Sequence, residues 1–242
     1  MLTYKYYSSG NRMPVISKIV NRLYAPYLSH WRSKRHTDDV LATIDHNAFR
    51  KALLPFKLEV SNKHYQKYLN TPYWMRMNVI RAFQLGLPNK TGEPLHILDI
   101  GSGFGYFPYV ARFFNHRVIG FDLPGETLFD KAVEFLELDI RHFRIDPKKK
   151  LEKFSDEKFD LVTAFQVCFN GHRSEDRWGV EEWKFFLDDL FTNHLKDNGK
   201  LYMDLNYDPQ IGAWLPEDVM SFIKSNYNCK MNGFSRITIS NK

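Results

Sequence analysis

Cysteine is nearly missing from this chain: Cys168 and Cys229 are the only two among 242 residues. Without paired spacing they suggest neither a disulfide framework nor a zinc site, so no metal is expected and a reducing compartment is the default. No apolar run is long enough to span a bilayer, which predicts a soluble, cytoplasmic protein. No internal repeat is visible, and low complexity is confined to Lys148-Lys149-Lys150. Acidic side chains are absent from residues 1–37. Residues 1–90 hold 15 Lys and Arg against 4 Asp and Glu, whereas residues 91–242 hold 19 against 24. A basic front on an acidic body suits an anionic partner, a membrane surface, docking of the two halves, or a plain solvated cap.

What is present is a sizeable apolar fraction, 43% of residues, enough for one α/β domain with an appendage. The chain is organised around Ile97-Leu98-Asp99-Ile100-Gly101-Ser102-Gly103-Phe104-Gly105-Tyr106. Residues 95–100 read as a short buried strand. Residues 106–114 read as a helix, with Phe107, Val110, Ala111 and Phe114 at helical spacing. A strand that turns through glycines into a helix offers backbone N–H groups and close approach to a nucleotide-like ligand. The dinucleotide fingerprint G-x-G-x-x-G is not matched: the third glycine comes one residue early, and Tyr106 stands where that pattern has Gly.

The pattern D-x-G-x-G-x-G, from Asp99 to Gly105, resembles motif I of the class I S-adenosylmethionine-dependent methyltransferases. Asp122, roughly 20 residues beyond Gly101 at the end of a strand over 117–121, sits where a carboxylate takes two ribose hydroxyls. This is similar to the family's second motif. Leu195-Lys196-Asp197-Asn198-Gly199 resembles the family's turn before strand five, with Asp in place of the usual Pro. The resemblance covers roughly residues 71–240. It implies a Rossmann-like, seven-stranded mixed sheet, mostly parallel with an antiparallel last strand, and helices on both faces. It also implies S-adenosylmethionine as cofactor and S-adenosylhomocysteine as product. The residues that would hold the cofactor are Asp99, Gly101, Ser102, Gly103, Gly105, Asp122, Leu123, Asp146 and Gln166.

Residues 1–70 read as a basic helical cap and residues 71–242 as the cofactor-binding domain. Within the cap, residues 14–28 form a basic amphipathic helix between Pro14 and Pro26. Residues 1–37 could touch an anionic membrane, pack as a cap or serve as a targeting segment. A second helical stripe, Val40, Leu41, Ile44, Ala48, Phe49 and Leu53, follows a cap at Thr37 or Asp38 and ends at Pro55. Residues 63–69, basic and aromatic together, suit stacking on bases, phosphate binding or a cap surface around a core Tyr. Thr71 is expected to cap the helix that leads into the first strand, with Pro72 in its first turn. Further strands are expected at 141–145, 159–165 and 201–205, with a terminal pair at 227–231 and 235–240 joined by Asn232-Gly233.

Chemistry is expected beyond the carboxyl end of the fourth strand, in residues 166–172. His172 is the candidate general base, since its ordinary pKa lies near neutrality; the alternative is a surface loop residue. Asn170, Glu175 and His64 are candidate substrate contacts, with Asp176 beside Glu175. Cys168 lacks the Pro-Cys dipeptide of cytosine C5 methylation, and no D/N-P-P-Y/F motif of exocyclic amino methylation occurs. These departures argue against two nucleic-acid classes without excluding RNA in general, and the preferred acceptor is a small molecule, a glycan or a lipid head group. The alternatives are an RNA methyltransferase that uses the basic cap, or a non-catalytic scaffold that binds the cofactor.

Overall fold

The computed structural model describes residues 33–58, 63–89, 92–169 and 177–242. The expected helix at 14–28 and the segment 170–176 lie outside these residues.

Strand β1 (His96–Ile100) is buried at all five positions. Its unbroken apolar run follows from that, because a strand with helices on both faces has no solvent side. It pairs in parallel with β2 (Arg117–Asp122) on one edge and β4 (Phe159–Phe165) on the other, so that Leu98 lies between Ile119 and Val162. β3 (Ile140–His142) extends the sheet beyond β2, and β5 (Leu195–Asp204) lies parallel to β4. β7 (Arg236–Ser240) runs antiparallel to both β5 and β6 (Asn228–Met231). The sheet order is therefore β3-β2-β1-β4-β5-β7-β6, a seven-stranded mixed sheet of the expected kind.

Two apolar cores flank the sheet. One holds Leu98, Ile100, Val162 and Trp183 under helices α6 (Val180–Asp189) and α7 (Glu217–Asn226). The other packs Ile97 and Leu161 against α3 (Thr71–Gln84), α4 (Tyr106–Phe113) and α5 (Thr127–Phe135). Residues 33–42 (α1) and α2 (His46–Leu53) join this second core through Val40, Ile44, Phe49 and Leu53. Phe49 packs against Phe135 of α5 with the rings tilted by 59° and their centroids 5.1 Å apart.

Several boundaries differ from the sequence expectation. Helix α1 runs through Thr37 and Asp38, and Thr37 Oγ1 donates to the Ser33 carbonyl inside the helix. The cap is Asp45, whose carboxylate accepts the N–H groups of Asn47 and Ala48, so the single apolar stripe belongs to two helices. Asn70, not Thr71, caps α3; Thr71 is buried inside the first turn. β3 ends at His142, three residues before the expected end. Phe143 still donates its N–H to the Asp122 carbonyl, but the chain then leaves the sheet. β5 begins at Leu195, because a register shift opposite Phe159–Leu161 absorbs the Lys196–Gly199 turn.

Candidate functional site

The glycine turn lies at the carboxyl end of β1, where parallel sheets of this kind bind ligands. Gly101 and Ser102 donate their N–H groups to the Phe121 carbonyl, at 2.9 and 3.2 Å. Gly103 adopts φ +54°, a conformation that L side chains rarely take, and its N–H is given to one oxygen of Asp122. The N–H of Leu123 binds the other oxygen at 2.7 Å. Gly105 begins α4 with φ +74°, and a Cβ there would run into Leu138 and Ile140. Tyr106, the residue that breaks the dinucleotide fingerprint, donates its hydroxyl to the Tyr68 carbonyl at 2.7 Å. It thereby ties the helix after the turn to the aromatic segment at 63–69.

That segment supplies the wall of a cavity of about 310 Å³, within the usual size range of small-ligand sites. Tyr65, Tyr68, Trp74, Phe104 and Phe129 stand on one side, and Phe121, Leu123, Phe143 and Ile145 on another. Leu123 is 56% exposed, an apolar side chain available to a flat ligand. Asp122 carries the nearby charge; burial raises its pKa, while the Gly103 and Leu123 N–H groups oppose the shift. Each carboxylate oxygen has a second acceptor site free for a hydroxyl. Asp99 is 2% exposed and accepts from Thr163 Oγ1 at 2.6 Å. Burial pushes its pKa up to about 7, against the pull of the Thr163 hydrogen bond. An acid end, an apolar slot and a glycine turn fit the ribose, base and amino-acid arm of S-adenosylmethionine.

Of the residues singled out in the sequence, Asp99, Gly101, Ser102, Gly103, Asp122, Leu123 and Gln166 line this cavity. Gly105 lies one step behind the lining, at the start of α4. Asp146 lies on a neighbouring surface loop, paired with Arg144 at 3.2 Å and Lys149 at 3.0 Å, while Ile145 next to it faces the cavity. Gln166 has φ +57°, an uncommon conformation for a non-glycine residue that gathers at functional sites. Its N–H is held by the Asp204 carbonyl at 2.7 Å and its carbonyl by Asn206 Nδ2 at 2.6 Å. Cys168 opens onto the same cavity; burial pushes its thiol up, which disfavours the thiolate at neutral pH. Asn170, His172, Glu175 and Asp176 fall outside the described residues, as does the side chain of His64.

Sequence reasoning missed Trp74, Asn78 and Arg81, all on α3 and all in the cavity wall. Their spacing of three to four residues marks one helical face. That face was readable, but its neighbour was not. Among the described residues no group of three or more His, Cys, Asp or Glu side chains is arranged to hold a metal, and no helix is long and apolar enough to cross a membrane.

Comparison with known proteins agrees with this fold. The family model for FtsJ-like methyltransferases matches residues 77–176, from α3 through the glycine turn to beyond β4. No curated protein matches the sequence. Among solved structures, the PH0226 protein from Pyrococcus horikoshii is 17% identical, with a TM-score of 0.50 over 72% of this chain and 92% of that one. DesVI from Streptomyces venezuelae is 11% identical, with a TM-score of 0.51 over 70% and 92%. CalS10, an amino pentose methyltransferase from Micromonospora echinaspora with S-adenosylmethionine bound, is 14% identical, with a TM-score of 0.48 over 70% and 92%.

Proposed function

We propose that this chain, a class I S-adenosylmethionine-dependent methyltransferase, methylates a small molecule, a glycan or a lipid head group and releases S-adenosylhomocysteine. The observation that carries the acceptor class is the wall of Tyr65, Tyr68 and Trp74 over the glycine turn. Among the described residues it leaves a cavity of small-ligand size beside the turn.

The bound cofactor supplies a methyl group already activated as a sulfonium. The chain's own work is then to bind, align and exclude water. Asp122 accepts the ribose hydroxyls while the Gly103 and Leu123 N–H groups hold its carboxylate in place. Leu123, Phe143 and Ile145 cover the base. Gln166, fixed through Asp204 and Asn206, lines the cavity as a further contact for the cofactor. His172 follows six residues later in the chain and is our general base for a hydroxyl acceptor, a role worth roughly 10²–10⁴-fold.

The test uses S-adenosylmethionine labelled on the methyl group and cell extract separated into small-molecule, glycolipid, protein and RNA fractions. Label in the small-molecule or glycolipid fraction is expected. Label that enters RNA alone, with salt-sensitive binding, would replace this reading with nucleic-acid methylation. With the acceptor in hand, His172→Ala is expected to lower turnover and to remove the limb of the pH–rate profile near the His pKa, while cofactor affinity stays unchanged.

A further inference from the structure

Arg81 is a cation that faces the cofactor cavity without a carboxylate to meet. It projects from α3, its guanidinium lies over the Phe165 ring at 4.4 Å, and its Nη1 donates to Asn78 Oδ1 at 3.0 Å. Asn78 is buried and is itself oriented by donating to the Trp74 carbonyl at 2.9 Å. Among the described residues no carboxylate lies within ion-pair distance of Arg81, and Asn78 is its one hydrogen-bond partner. Asp99 and Asp204 act on it only through space, and one oxygen of each accepts a hydroxyl instead, from Thr163 and from Ser235. A guanidinium has five N–H donors in a planar fork, and a single one is used here. An under-used, partly desolvated fork held by an aromatic ring and an amide is arranged for an anion.

The position selects the anion. Asp122 ends β2 and Phe165 ends β4, and β1 with the glycine turn lies between them. Two strand spacings separate them by about 10 Å, comparable to the reach of the cofactor's aliphatic arm from ribose to carboxylate. We propose that Arg81 binds the α-carboxylate of the cofactor's methionine arm, with Phe165 and Asn78 presenting its fork; this rests on the cofactor reading above. Arg81 and Asp122 then grip the two ends of the cofactor, and the glycine turn passes beneath its middle.

The experiment is calorimetry with S-adenosylmethionine and with decarboxylated S-adenosylmethionine, which lacks only the carboxylate. The wild-type chain is expected to prefer the intact cofactor by about 10- to 100-fold, the scale of a charge-assisted hydrogen-bonded pair. Arg81→Met is expected to erase that preference by weakening the intact cofactor alone, as in a double-mutant cycle. Arg81→Lys, which keeps the charge and loses the fork, is expected to retain part of it, and it supplies the readout if the Met variant does not melt cooperatively. An Arg81→Met variant that weakens both ligands equally, or neither, overturns the assignment while leaving the cofactor reading intact. A wild-type chain that binds neither ligand overturns both.

Discussion

At the scale of single residues, the site depends on two carboxylates in unlike surroundings. Asp122 is held by two backbone N–H groups at the edge of the cavity. Asp122→Ala should weaken S-adenosylmethionine binding by about 10- to 100-fold through the lost ribose contacts; unchanged affinity in a calorimetric titration would remove Asp122 from the site. Asp99 is sealed under the turn, and its effect appears in stability. An unfolded Asp ionises near 3.8, whereas Asp99 keeps its proton to about pH 7. Between those values the folded chain binds more protons than the unfolded one, so rising pH favours unfolding. The stabilisation is fully present below about pH 4 and is gone above about pH 7. Asp99→Asn removes this dependence. Its stability relative to wild type should improve across that window, by about 1.4 kcal/mol per pH unit at most. Urea denaturation of the cofactor-free protein at several pH values measures the difference, and parallel curves would mean that Asp99 is ionised in the fold.

Among the elements, α2 and the glycine turn are the informative pair. Phe49 is buried between α2 and α5, against Phe135. Phe49→Ala should cost about 3–5 kcal/mol in urea unfolding, and a loss below about 1 kcal/mol would mean that α2 docks only loosely. The strands and the turn were legible because their residues obey local rules. β1 is apolar without interruption, the turn has glycine at each of its three positive-φ positions, and Asn232-Gly233 marks the hairpin between β6 and β7. The aromatic wall and Arg81 were not legible as a site. Tyr68 and Arg81 meet the turn only because Tyr106 bonds back to the Tyr68 carbonyl and α3 crosses beside β4. Neither contact leaves a local pattern. The end of β3 was misjudged because an apolar alternation continues through Phe143 and Ile145, and those side chains turn to the core and the cavity instead of extending the ladder. The split of one apolar stripe into α1 and α2 was hidden for a similar reason. The helical period carries across the break at 43–45, and only Asp45 marks the new start.

For the molecule as a whole, the fold places an acidic carboxyl-terminal body behind a cavity whose described walls come from residues 65–169. Removing residues 1–32 should therefore leave S-adenosylmethionine affinity unchanged while lowering affinity for the acceptor; equal acceptor affinity in the shortened chain, read as an unchanged KM, would show that the basic front serves another purpose. NAD should not bind, since Tyr106 and its bond to Tyr68 occupy the path that a third fingerprint glycine would open. The sheet order also bears on how the chain is made. β7 lies between β5 and β6 although it is translated after both. A folding chain therefore keeps the β5 edge that includes Leu201 and Met203 open while β6, which precedes β7 in the chain, cannot take that place. That edge stays unpaired until residues 236–240 slip between the two strands, so the insertion of β7 is the step that closes the sheet.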